Sequence, residues 1–97
     1  MLLVPLRQQV LHANQEIARR GLALHTFGNA SGISREGVDG SGRQPIVAIK
    51  PSGVPYDTMT PSDLVLTTLD GTVIEGLLNP SSDLDTHLLL YLSLIHI

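Results

Sequence analysis

An α/β fold with a mixed, largely antiparallel sheet is predicted by three features of this 97-residue chain. An amphipathic pattern runs from Val4 to Arg20, and a second helix start lies at Pro80-Ser81-Ser82-Asp83. Between them fall short β-branched runs, two of which flank an Asp70-Gly71 turn. Helices at both ends of a strand-rich middle are the pattern of an α/β domain.

In the first helix Pro5 suits an opening position, and Leu6, Val10, Ala13 and Ile17 recur at helical spacing. Arg19 and Arg20 complement the dipole of the last turn, and Gly21 is placed to end it. His12 is read as a surface histidine. Leu22 to Phe27 reads as a short strand, with His25 toward solvent, stopped by the Gly28-Asn29 turn. Ile33 resumes an extended pattern after Ser31 and Gly32. Arg35 to Gln44, with Gly37, Gly40 and Gly42, is a loop or hairpin tip.

Ile46 to Ile49 reads as a buried strand that runs into Lys50-Pro51-Ser52-Gly53. That turn can present a hydroxyl and backbone N–H groups to an oxyanion, and it is equally an ordinary way to leave a strand. Thr60-Pro61-Ser62-Asp63 is a capped single turn. Leu64 to Leu69 and Thr72 to Glu75 form a hairpin around Asp70-Gly71, predicted as a two-residue primed turn. Leu64, Leu66, Leu69 and Val73 are expected to supply one partly buried face.

The second helix opens with Ser82 and Asp85 at capping-box spacing and with Asp83 and Asp85 in the first turn. Its free N–H groups suit phosphate as well as a side-chain cap. Asp83 and His87 share one face, while Leu84, Leu88 and Tyr91 offer an apolar one.

Length and composition bound the function. A chain this short makes one domain or part of one, burying about 60–65% of its unfolded surface. Hydrophobic residues at 42% with 15% charged residues describe a folded chain, not a disordered one. A net charge of −3, six scattered basic residues and three aromatics argue against nucleic acid or an anionic membrane as partner. No cysteine is present, so neither disulfide nor thiolate metal site can form, which is compatible with the cytosol. No signal peptide is indicated at Met1 to Arg7, and no apolar run approaches the ~20 residues of a membrane span.

Gly28-Asn29-Ala30-Ser31, Ile49-Lys50-Pro51-Ser52-Gly53-Val54 and Pro80-Ser81-Ser82-Asp83 with Thr86, His87 and Tyr91 together resemble the class II aldolase and adducin N-terminal family. Each motif is weak alone; three in order and spacing are specific. The forms Ile-Lys-Pro-Ser-Gly, Asp63-Leu64-Val65 and Ser-Ser-Asp resemble its L-ribulose-5-phosphate 4-epimerase branch. The resemblance implies a three-layer helix/sheet/helix architecture, of which only the N-terminal part is present. It implies that Gly28, Asn29, Ser52, Gly53, Ser81 and Ser82 bind the phosphate of a sugar substrate, and that Asp83 approaches a divalent metal, usually zinc. His87 belongs to the helix body. The implied chemistry is retro-aldol cleavage and re-addition through an enediolate that the cation stabilises as a Lewis acid. The implied parent is a cytoplasmic homotetramer.

Residues 1–91 follow the family pattern. Leu92 to Ile97 depart from it, because the proline turn and the His-x-His strand expected next are missing. His96 is therefore not assigned as a ligand, and the tail is read as a foreign or misread end. A catalytic zinc takes three protein ligands, so the isolated chain is expected to be inactive. The alternatives are a class II sugar-phosphate aldolase or related dehydratase, and a non-catalytic adducin-like binding domain.

Overall fold

A computed structural model describes residues 1–20, 30–38, 40, 42, 44–81 and 83–95. The strand and turn expected over Leu22 to Asn29, together with Ser82 and His96, lie outside the described residues.

Two helices sandwich an antiparallel meander. Helix α1 spans Val4–Arg19 and α2 spans Leu84–Ile95. Strands β1 (Ser31–Ser34), β2 (Ile46–Ile49), β3 (Val65–Thr68) and β4 (Val73–Glu75) lie side by side in chain order. Every described pairing is antiparallel, in keeping with the largely antiparallel sheet expected.

Alternation along the central strands builds both interfaces. Ile46 and Ala48 of β2 join Leu64 and Leu66 against Val10 of α1. Val47, Ile49 and Val65 point the other way, onto Leu84 and Leu88 of α2. All four residues of β2 are buried because both faces of the strand are covered. The outcome is helix, sheet, helix, and no described helix is long and apolar enough to cross a membrane.

Helix α1 approaches β1 closely at Gly32, where a Cβ would come 2.7 Å from Val10 Cγ2 and 2.9 Å from Leu6 Cδ1. Its inner face is less apolar than periodicity predicts. Arg7, Val10 and Asn14 are its buried residues, whereas Ala13 and Ile17 are half-buried. Their polar groups are tolerated because partners elsewhere in the fold satisfy them.

The Thr60 turn forms as expected: it is a 3-10 helix, Pro61–Asp63, in which the Thr60 N–H donates to Asp63 Oδ2 at 2.9 Å. The hairpin forms, but with a different turn. The Gly71 N–H donates to Thr68 O at 3.1 Å and the Thr68 N–H to Thr72 O at 2.9 Å, with φ +89° at Gly71 alone of the turn residues. That is a three-residue loop ending in a left-handed glycine, not a two-residue primed turn. Thr68 Oγ1 and the Thr72 N–H both donate to Asp70 Oδ1 and hold Asp70 in this conformation. The expected single face also divides. Leu64 and Leu66 pack toward α1, Leu69 toward α2, and Val73 is exposed on the edge strand.

Candidate functional site

The register of β1 against β2 pairs Ser31 with Ile49. The end of the first motif therefore lies beside the start of the second, although the two are far apart in sequence. At that edge of the sheet Lys50-Pro51-Ser52-Gly53 leaves β2 and meets the approach to α2. The Ser52 N–H donates to Asn79 O at 2.8 Å and the Ser81 N–H to Lys50 O at 2.9 Å, around an antiparallel bridge between Pro51 and Pro80. The second and third motifs are thus laced backbone to backbone.

Within this arrangement Ser52 and Gly53 are exposed, with Gly53 at φ +76°. That angle is natural only to glycine and sharpens the turn. Ser81 is buried, and its Oγ accepts the Asp83 N–H at 3.2 Å while its carbonyl accepts the Leu84 N–H at 3.0 Å. Ser81 is the described side-chain cap of α2. Capping was expected of Ser82, which lies outside the described residues. Asp83 is exposed at the helix start. Gly28 and Asn29 also lie outside them, so the first motif is placed through Ala30 and Ser31 alone.

Two sets of contacts were not legible in the motifs. Asn14 of α1 is fully buried and clasps Ala30, donating from Nδ2 to its carbonyl at 2.9 Å and accepting its N–H on Oδ1 at 2.9 Å. Ser31 Oγ lies 2.7 Å from His87 Nδ1 and 2.8 Å from the Tyr91 hydroxyl. A buried asparagine at helical spacing among apolar residues is the one signal that could have drawn attention to Asn14. Nothing in the sequence pairs Ser31 with residues 56 and 60 positions later.

Lys50 is the other feature the motifs hid. Only 1% exposed, it donates from Nζ to Pro51 O at 3.0 Å and lies 5.2 Å from the centre of the Tyr56 ring. Burial pushes the Lys50 ammonium down and the Tyr56 hydroxyl up from their ordinary values. Among the described residues no carboxylate pairs with this ammonium. The turn thus holds a buried cation behind the exposed Ser52 and Gly53, which lends it positive potential.

The described residues contain no group of three His, Cys, Asp or Glu side chains able to hold a metal ion. Asp83 by itself is short of a site. A cleft of about 490 Å³ opens beside Gln15, Ala18, Arg19, Tyr56 and Asp57, and none of the predicted site residues is among these. The laced turns, not this cleft, hold the described residues of the second and third motifs.

Comparison with known proteins bears on this geometry. The profile of the class II aldolase and adducin N-terminal domain matches residues 8–95. The L-ribulose-5-phosphate 4-epimerases UlaF of Salmonella typhi and of Salmonella paratyphi B are each 49% identical over 86 residues, covering 89% of this chain and 35% of those proteins. The chain thus spans about a third of the length of these relatives. Among solved structures, an L-fuculose 1-phosphate aldolase superposes with a TM-score of 0.69 at 26% identity, covering 92% of this chain and 39% of that one. Escherichia coli YgbL superposes at 0.63 with 25% identity, covering 91% and 38%.

Proposed function

This chain belongs to the class II aldolase and adducin N-terminal family, and from that premise we propose that it is the amino-terminal part of a metal-dependent L-ribulose-5-phosphate 4-epimerase. The observation that carries the proposal is the pair of backbone hydrogen bonds joining Lys50–Ser52 to Asn79–Ser81. They bring two donor-rich turns together at the sheet edge where Ser31 ends the first motif. Two turns laced together beside Ala30 and Ser31 suit one phosphate better than separate surfaces would. The 49% identity to the UlaF enzymes favours the epimerase branch over the aldolases, whose solved relative stands at 26%.

In this reading Gly28, Asn29, Ser52, Gly53, Ser81 and Ser82 hold the phosphate, and buried Lys50 adds positive potential behind the second turn. Asp83 contributes one carboxylate toward a divalent cation, zinc in the first instance. One carboxylate does not meet the three protein ligands of a catalytic zinc, so the described residues do not by themselves fit the ion. The further ligands belong to other parts of the parent protein. The same proposal takes in a cytoplasmic, homotetrameric parent.

The deciding assay is turnover by the full-length gene product. Epimerisation of L-ribulose 5-phosphate, without cleavage of deoxyketose 1-phosphates, is the expected result. Cleavage of the latter in place of epimerisation would make the parent an aldolase.

A further inference from the structure

Helix α2 is held in two different ways. Leu84 and Leu88 pack on Val47, Ile49 and Val65. Such contacts follow buried area, are non-directional, and leave a helix free to roll or slide by small amounts. Hydrogen bonds depend on angle and distance, and so fix orientation. The start of α2 is tied to the second motif through the Ser81 N–H and Lys50 O. Its next turns are tied to β1 through Ser31, whose single hydroxyl is shared by His87 Nδ1 and the Tyr91 hydroxyl.

These ties act on the candidate site through a rigid element. The His87 N–H donates to Asp83 O at 3.1 Å, so the turn carrying His87 is continuous with the one carrying Asp83. Ser31 is itself fixed, since the register sets it opposite Ile49 and Asn14 clasps the preceding Ala30. Rotating α2 enough to redirect Ser81 or Asp83 would break both bonds to Ser31 at once. The apolar contacts alone would yield.

Resting on the phosphate-site reading above, we propose that Ser31, His87 and Tyr91 are positioning residues that set the roll of α2, and with it the aim of Ser81 and Asp83 at the substrate. None of the three touches the phosphate in this scheme; each acts through the helix. Docking of α2 rests on Leu84, Leu88 and the ring of Tyr91, which Tyr91→Phe keeps, so loss of the hydroxyl separates a positioning role from a stabilising one.

The test uses the full-length gene product with Ser31→Ala, Tyr91→Phe and the conservative Ser31→Thr. Titration calorimetry reads the Kd for inorganic phosphate, steady-state kinetics the KM and kcat for L-ribulose 5-phosphate, and thermal unfolding the Tm. Ser31→Ala and Tyr91→Phe are expected to raise Kd and KM together by about tenfold, the scale of one directional hydrogen bond. The shift in kcat stays within about twofold, Tm changes little, and Ser31→Thr recovers most of the affinity. Wild-type protein that binds phosphate, with both variants binding as tightly, overturns the positioning role and leaves the phosphate reading intact. A fall in Tm with Kd and KM unmoved also overturns it, because the network would then only stabilise. Wild-type protein that neither binds phosphate nor turns over the sugar phosphate overturns the phosphate reading and this inference with it.

Discussion

Arg7 and Glu75 form an ion pair that ties the first turn of α1 to the last residue of β4. The guanidinium is 1% exposed and also donates to Leu2 O at 2.6 Å, Pro61 O at 3.1 Å and Leu64 O at 2.9 Å. Glu75 keeps about a third of its side chain in water and also accepts the Leu2 N–H at 3.0 Å. Removing one member of a buried pair costs more than the pair contributes net, because the other is left uncompensated. Arg7→Met is therefore expected to lower stability by about 2–4 kcal/mol, and Glu75→Gln by about 1–3 kcal/mol. Urea unfolding midpoints of this chain check both; unchanged midpoints would show that the pair is dispensable.

Asn14 is expected to matter as much as an apolar core residue. It donates to Val10 O at 2.8 Å in addition to clasping Ala30. Asn14→Leu fills similar space but strands the Ala30 N–H and carbonyl, at a cost of about 2–3 kcal/mol. Amide exchange at Ala30 is the direct readout, and it should accelerate strongly in the variant. Protection equal to wild type would contradict the clasp.

Gly32→Ala tests the close approach of α1 to β1. The new methyl would meet Val10 and Leu6 at less than 3.0 Å, so the helix or its side chains must shift. A loss of about 1–3 kcal/mol is expected, as for other overpacked sites. Gly40→Ala is the control for steric crowding. Among the described residues a Cβ there meets nothing within 4 Å, so the effect expected from them is backbone strain at φ +75°.

The hairpin turn is expected to weaken in acid. Donation from Thr68 Oγ1, and then from the Thr72 N–H, holds the Asp70 carboxyl below its ordinary 3.8. A depressed folded value means that this support is present above about pH 3.8 and is lost as pH falls through the lower folded value. Asp70→Asn should flatten this part of the acid limb of stability. Glu16, lowered mainly by its hydrogen bond from Arg20, contributes with the same sign and must be replaced separately. An acid limb unchanged in Asp70→Asn would remove Asp70 from the account.

Lys50 shifts in the opposite chemical sense. Burial disfavours its charged form, so the unfolded chain binds the proton more tightly than the folded one. Stability attributable to Lys50 should rise with pH between the depressed folded value and the ordinary 10.5. Lys50→Met, which removes the buried charge at similar volume, should abolish this rise and leave neutral-pH stability unchanged or raised by up to about 2 kcal/mol. A clear loss of stability would mean that the contacts to Pro51 O and the Tyr56 ring outweigh desolvation.

Much of the fold was legible because it is written in short-range signals. Pro5 and the spacing of Leu6 and Val10 mark α1, Ile46 to Ile49 marks a strand covered on both faces, and Thr60 with Asp63 marks a capped turn. The Asp70-Gly71 pair located the hairpin but not its type. The choice between turns depended on Asp70 accepting from Thr68 and Thr72, which only the paired strands bring within reach. The candidate site was legible as three motifs, and its supports were not. Arg7 and Lys50 look like surface residues in any local window, Asn14 is marked only by its place in the apolar repeat, and the burial of all three depends on partners elsewhere in the chain.

Sequence by itself determined where the two helices, β2 and the β3–β4 hairpin form, because periodicity, caps and turn residues act within a few positions. Tertiary structure alone decided that Ser31 lies beside Ile49, that Ser52 and Ser81 are laced to the opposite segment, and that Ser31 meets His87 and Tyr91. Those neighbours are set by strand register and by the packing of α2 across the sheet. Both are properties of the assembled layers, and no single segment of the chain carries them.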